Sequence, residues 1–232
     1  MPKIIKTLRA HFQALGWLNG LLYLVAIALS RISRDRARLI KYDLVVQPIQ
    51  TEPLLPPHRG RRIQVYEAAP EDALLRAMPY RDEAVLEDRF SRGGRCLVAQ
   101  LNGDLAGFLW FSHGDYLEDE VRCLFRPEPA ETSVWDYDVY VADRYRLSPV
   151  FLKLWQEANS RLHAEGFRES FSRISAFNPS SHGSHARLGA KTIGWATFVV
   201  IGSLQIMGAS SAPFLHLSFS DHHYPVLLLR AR

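Results

Sequence analysis

The sequence predicts an α+β fold (α/β/α in layers), a mixed and mostly antiparallel sheet flanked by helices, with an amphipathic helix at the N-terminus. Three observations carry this. Asn102-Gly103 separates two strand-like runs, Cys96–Leu101 and Leu105–Phe111, the signal of a two-residue hairpin. The β-branched and aromatic run Val134–Val141 (VWDYDVYV) feeds through a short turn into an amphipathic stretch, Val150–Glu165, that stops at Gly166. Near the start, Ile4, Leu8, Phe12, Leu15, Leu22, Val25, Leu29 and Ile32 recur at steps of three, four or seven, one face of a helix.

At 232 residues the chain is long enough for one domain with attachments, at roughly 150 residues per domain. Two cysteines, Cys96 and Cys123, exclude a disulfide scaffold and a structural zinc site. The net charge of +4 hides an asymmetry: residues 1–62 hold 11 Lys and Arg against 3 Asp and Glu, while the rest is mildly acidic. A basic arm of this kind suits a membrane surface or an acidic protein. The body carries no nucleic-acid-reading motif, so no nucleic-acid partner is expected.

Residues 1–40 read as a basic, apolar helical arm. Leu21–Leu29 is unbroken apolar sequence, with Lys3, Lys6 and Arg9 before it and Arg31, Arg34, Arg36 and Arg38 after. Gly16–Ser30 is short against the about 20 apolar residues of a span. A helix on a membrane surface, a helix docked on its own body or on a second subunit, a signal peptide and a true span all remain open. Residues 41–61 read as a Pro-rich linker, since Pro48, Pro53, Pro56 and Pro57 suit neither helix nor central strand.

Residues 62–205 form the body. Arg62–Glu67 alternates as a strand, and Pro70–Ser91 reads as one or two helices broken at Pro79. Asp115–Thr132 reads as a loop or irregular strand. Phe171–Phe177 is a strand, Pro179–Leu188 a short helix ending at Gly189, and Thr192–Ile201 a last long strand. Residues 206–232 form a strand-like tail, in which Phe214–Phe219 alternates. His216, Asp221, His222 and His223 have no metal-ligand spacing, and no metal is expected.

The chemistry concentrates after Val134. Strict alternation sends Trp135, Tyr137, Val139 and Val141 to one face, under the helix beginning at Val150, and Asp136, Asp138 and Tyr140 to the other. Two neighbouring carboxylates could deprotonate an amine, directly or through water, or serve as structural acceptors or cation binders. The turn that follows, Arg144-Tyr145-Arg146-Leu147-Ser148-Pro149, puts backbone N–H groups at the positive end of a helix dipole with two arginines beside them. That suits a pyrophosphate, although both arginines could equally be solvated loop charges.

The order of elements and the residues at three junctions resemble the GNAT family of N-acetyltransferases over about residues 62–205. The family has a strand ending Val-x-Pro, then an Arg/Gln-x-x-Gly-x-Gly/Ala turn opening a helix. Here these are Val139-Tyr140-Val141-Ala142-Asp143 and Arg144–Pro149, with Leu147 and Pro149 where the family has glycine or alanine. Further on, the family has an Asn after the next strand, then a Tyr four residues before a Gly-Phe pair; here stand Asn178, His185 and Gly189-Ala190. The resemblance implies that acetyl-CoA or another acyl-CoA is the acyl donor, held by Val139, Tyr140, Val141, Arg144, Arg146, Leu147, Ser148, Val150 and Asn178, with Ser175 and Phe177 lining the cleft. It implies catalytic roles for Asp138 or Asp136 as base and for His185 as the acid that protonates the departing thiolate. Asn178 before Pro179 equally suits a helix cap, and His185 equally suits an ordinary surface position.

The expected function is therefore N-acyl transfer, with acetyl as the expected group, from acyl-CoA to a small-molecule amine. One alternative is a long-chain or carrier-protein-dependent enzyme at the membrane surface, for which the arm would serve a lipidic or acidic partner. Another is a non-catalytic interaction module. The acidic run Glu118-Asp119-Glu120 could attract the amine or be a solvated loop. A thioester donor implies the cytoplasm, with the arm peripheral on the inner face of the membrane or packed on the protein. The tail suits pairing into a homodimer.

Overall fold

A computed structural model describes the backbone of residues 2–78 and 82–231, and side chains from residue 12 onward. Its elements are α1 (Pro2–Ser33), β1 (Ala37–Pro48), β2 (Ile63–Glu67), α2 (Ala73–Arg76), α3 (Glu83–Ser91), β3 (Arg95–Leu101), β4 (Asp104–His113), β5 (Tyr116–Leu117), β6 (Leu124–Glu128), β7 (Ser133–Val141), α4 (Val150–Ala164), β8 (Glu169–Ser175), α5 (Pro179–Ala186), β9 (Lys191–Ile201), β10 (Leu204–Ala209), β11 (Leu215–Ser218) and β12 (Val226–Arg230). The fold is α+β, with mostly antiparallel strands flanked by helices. The chain divides into two compact units: Pro48–Gly114 with Pro129–Ser170, and Met1–Gln47 with Asp115–Glu128 and Phe171–Arg232.

In the unit centred on β7, the strands run β2-β3-β4-β7, each antiparallel to the next. The β3–β4 hairpin turns at Asn102 and Gly103, whose φ values of 54° and 87° are those that this dipeptide tolerates best. Helix α4 packs on β2, β3 and β4 through Val150, Leu154, Ala158 and Leu162, spaced four apart, with Trp155 beside them, all buried. It ends where Gly166 takes φ 99° and the Phe167 N–H reaches back to the Leu162 carbonyl. The expected helices before β3 are α2 and α3; the expected break at Pro79 lies outside the described residues.

In the other unit the strands run β11-β10-β9-β1, again antiparallel. A second small sheet, β12-β6-β5, pairs β12 parallel with β6. Gln205 of β10 ties in the segment before β6: its side-chain oxygen accepts the Arg122 N–H, and its nitrogen donates to the Arg122 carbonyl, both at 2.8 Å. Tyr42, Leu44, Phe125, Phe198, Met207 and Leu227 are buried here.

Three boundaries drawn from sequence are corrected. Residues 37–48, divided between arm and linker, are β1, a twelve-residue strand that pairs along β9. Its Leu39, Ile40, Tyr42, Leu44, Val45 and Val46 are strand formers, and Pro48 sits at the last position, where a missing N–H is harmless. The true connection is 49–62, and even this is anchored, by buried Leu55, whose N–H donates to Gln156 Oε1. The tail from residue 206 is no appendage, because β10 begins at Leu204 and extends the sheet. Asp115–Thr132, read as a loop or irregular strand, holds the short strands β5 and β6.

Candidate functional site

Strand β7 does not alternate strictly. Leu109 of β4 faces Val139 and Trp110 faces Tyr137, so Asp138 is an extra residue, a β-bulge, with φ 53°. Beyond the bulge the parity flips. Tyr137 stacks on Trp110 and Tyr140 on Phe108, two residues of one face of β4, with ring centroids 6.1 and 5.2 Å apart. A Cβ on Gly107 would meet Val150 and Leu154, so the opposite face is the one α4 covers. Val139 and Val141 therefore lie on the α4 side, as expected. Tyr137 does not, and Asp136, opposite Phe111, does.

The two carboxylates thus point apart, correcting the expectation that they lie together. Asp136 is 3% exposed and accepts the Ser170 hydroxyl at 2.7 Å. Asp138 turns to the other face, where Arg89 Nη1 donates to its Oδ2 at 2.5 Å. The Arg89 guanidinium lies 5.1 Å from the Tyr137 ring centroid and 5.4 Å from that of Trp110. Non-glycine residues rarely adopt left-handed backbone, and such strain gathers at functional positions. Here a buried ion pair and two aromatic rings hold it.

After Val141 the chain makes a 3₁₀ turn at Asp143–Tyr145 and enters α4 at Pro149-Val150. The Ser148 hydroxyl donates to the Tyr145 carbonyl at 2.6 Å and lies 3.4 Å from the Val150 nitrogen, closing the turn. Pro149, which has no N–H to orphan, precedes the helix. Arg144 pairs with Asp104 at 3.0 Å and Arg146 with Asp143 at 2.8 Å. All four of these side chains are more than half exposed, so the pairs are weak and can open to a competing anion. Leu147 is wholly exposed and has no part in the core. The turn therefore brings two exchangeable guanidinium groups to a helix N-terminus, an arrangement that can attract an anion such as a phosphate.

The other expected residues lie in the second unit. Asn178 caps α5, its Oδ1 accepting the Ser181 N–H at 3.1 Å. Phe177, expected to line a cleft, packs its ring 5.5 Å from that of Tyr23 on α1, and the Ser175 hydroxyl accepts the Phe177 N–H. His185 is no surface residue: it is 5% exposed, with Nδ1 3.1 Å from Gln47 Oε1. Burial, with a smaller contribution from His182, pushes its pKa down from the ordinary value near 6.5 to about 4. At neutral pH it is uncharged, and only a neutral ring N–H could be given up, which makes it a poor acid. Gln47 Nε2 is buried without a hydrogen-bond partner among the described residues.

Of the acidic run only Glu118 is buried, while Asp119 and Glu120 are exposed in a bend. Glu118 has a fully buried side chain gripped by Arg173 through two bonds, Nε to Oε2 at 3.0 Å and Nη2 to Oε1 at 2.5 Å. The Tyr42 hydroxyl donates to Glu120 Oε2 at 2.5 Å, and burial is the main cause that drives the Tyr42 pKa far up. Glu118 and Glu120 help line a cavity of about 530 Å³, with Arg38, Arg122, Gln205 and Asp221. Glu118 and Glu120 are already engaged by the protein's own groups. Among the described residues, no group of three or more His, Cys, Asp or Glu could hold a metal. Sequence reasoning missed Arg89 and the bulge. The one available signal was an arginine three residues after Leu86 on the buried face of α3.

No protein-family model matches the chain, and no curated protein does. Solved structures of similar fold include a functionally unknown conserved protein from Staphylococcus epidermidis, with 12% identity and a TM-score of 0.49. That match covers 75% of this chain and 66% of the staphylococcal one, just under two thirds of its length. A tandem GNAT protein of the clavulanic acid biosynthesis pathway is similar at 16% identity and a TM-score of 0.47, over 71% of this chain and 54% of that one. An aminoglycoside acetyltransferase from an uncultured soil metagenomic sample, in complex with sisomicin, is similar at 15% identity and a TM-score of 0.38, over 53% and 84%.

Proposed function

We propose that the protein is a cytoplasmic N-acyltransferase that moves an acyl group from an acyl-CoA thioester to a small-molecule amine. The observation that carries this is the β7–α4 junction: a bulge at Asp138, a strand end at Val139–Val141, and a helix N-terminus flanked by Arg144 and Arg146. The turn and the two arginines hold the pyrophosphate. The amine nitrogen forms the new bond to the carbonyl carbon, the C–S bond breaks, and the electron pair leaves with sulfur. Asp138, fixed by Arg89, holds the amine or takes its proton. A thiol of pKa about 8.5 leaves readily, so the reaction does not depend on a protonated His185.

A second reading, a long-chain or carrier-protein donor, is favoured by the wholly exposed Leu147 beside the two arginines. Both donors present a phosphate on a pantetheine arm, so one turn serves either. Calorimetric titration of the full chain with acetyl-CoA and with a long-chain acyl-CoA tests both. Saturable binding that R144Q/R146Q weakens supports the site, and the preferred chain length chooses the donor. Binding of neither, with no acyl transfer from a carrier protein, would leave an interaction module.

A further inference from the structure

We infer that α1 lies in the plane of an anionic membrane surface, with its outward face embedded among the lipids. The first observation is the distribution of its side chains. Trp17, Leu18, Leu21, Leu24, Val25, Ala28 and Ile32 are exposed, and they follow one helical face. Trp17 is 74% and Ile32 85% exposed. The polar residue of the stretch, Asn19, faces the other way, its Oδ1 accepting a bond from Lys41 of β1 at 2.7 Å. Leu15 and Gly20 are buried on that side, and Tyr23 packs on Phe177. The helix is apolar on both sides, with Leu15, Leu22, Tyr23 and Leu29 buried or half-buried on one and the exposed stripe on the other.

Phe12–Ser33 is long and apolar enough to cross a membrane by length and composition. The packing argues for lying flat instead. The helix is bent at Gly16, where φ is 72° and ψ 165°, and its inner side is fastened to β1. Spanning would strip Lys41 of its partner and carry that lysine or Asn19 toward hydrocarbon. Lying in the interface leaves every inner contact in place.

The second observation is the strand face beside it. Lys41, which holds α1, and Asp43 share one face of β1, and Trp195 of β9 stands opposite Asp43. A Cβ on Gly208 would touch Trp195, and Leu215 stands opposite Gly208. The α1-bearing face therefore continues through exposed Trp195, Leu215 and Leu217. The third is charge. Arg31, Arg34 and Arg36 are exposed at the end of α1, and none makes an ion pair among the described residues. An apolar stripe ending in free guanidinium groups matches acyl chains beneath anionic headgroups.

The test is flotation of the full chain with vesicles of phosphatidylcholine alone or mixed with phosphatidylglycerol. The wild-type protein should float with the anionic vesicles, and W17E/L21E/L24E should stay behind with an unchanged urea midpoint. R31Q/R34Q/R36Q should bind anionic vesicles more weakly, by roughly fivefold per arginine. A wild-type chain that floats with neither vesicle overturns the inference. So does an apolar variant that floats equally, an arginine variant that binds anionic vesicles as well as the wild type, or a solution dimer split by W17E/L21E/L24E with no lipid binding. None of these outcomes bears on acyl transfer.

Discussion

Arg89 and Asp138 meet at 2.5 Å, with the guanidinium lodged against the rings of Tyr137 and Trp110. Their side chains are 8% and 15% exposed. The pair joins the end of α3 to the one left-handed residue of β7, so a structural contact and a candidate catalytic group are the same group. Removing one partner leaves the other charge buried, at a cost of about 3–5 kcal/mol. R89M should lower the urea-unfolding free energy by that amount, and R89M/D138N should recover part of it. D138N alone should retain coenzyme A binding and lose acyl transfer.

The two turn arginines should behave in the opposite way. Their ion pairs are exposed and contribute at most about 1 kcal/mol to stability. R144Q/R146Q should melt like the wild type in a thermal scan, while its affinity for an acyl-CoA falls about tenfold or more and becomes less sensitive to salt.

His185 makes stability depend on pH. Its folded pKa, about 4, lies below the ordinary value near 6.5. Between these values the unfolded chain binds the extra proton, so stability is full above pH 6.5 and is lost as pH falls toward 4. The loss is roughly 3 kcal/mol. Urea titrations across this range should show a shallower decline in H185N than in the wild type.

Gly107 is confined by backbone. A Cβ there would come within 2.5 Å of the Tyr140 carbonyl oxygen and 3.1 Å of a Val150 methyl. G107A should destabilise by about 1–3 kcal/mol in urea unfolding, since strand β7 would have to move away from it.

The elements legible in the sequence are those with strong local signals. Asn102-Gly103 marks its hairpin, and the spacing of Val150, Leu154, Trp155 and Leu162 marks α4, because one chemical preference acts on each. The bulge at Asp138 was not legible. It depends on Arg89, forty-nine residues away, and nothing within VWDYDVYV distinguishes an eight-residue alternation from one with an inserted residue. Strand β1 was hidden because basic residues surround it and Pro48 ends it. His185 sits in a polar helix, PSSHGSHA, and only its tertiary contact with Gln47 shows that it is buried.

The parallel pairing of β12 with β6 has a consequence for the order in which the protein can assemble. The unit centred on β7 has all its residues once synthesis passes Ser170. The other unit draws on the first forty-seven residues and on strands up to Val226–Arg230. Until those residues leave the ribosome, β6 has no partner on its β12 side. The β7 unit thus has all its residues first on the nascent chain, while α1, made at the outset, waits for Phe177 before its Tyr23 contact can form.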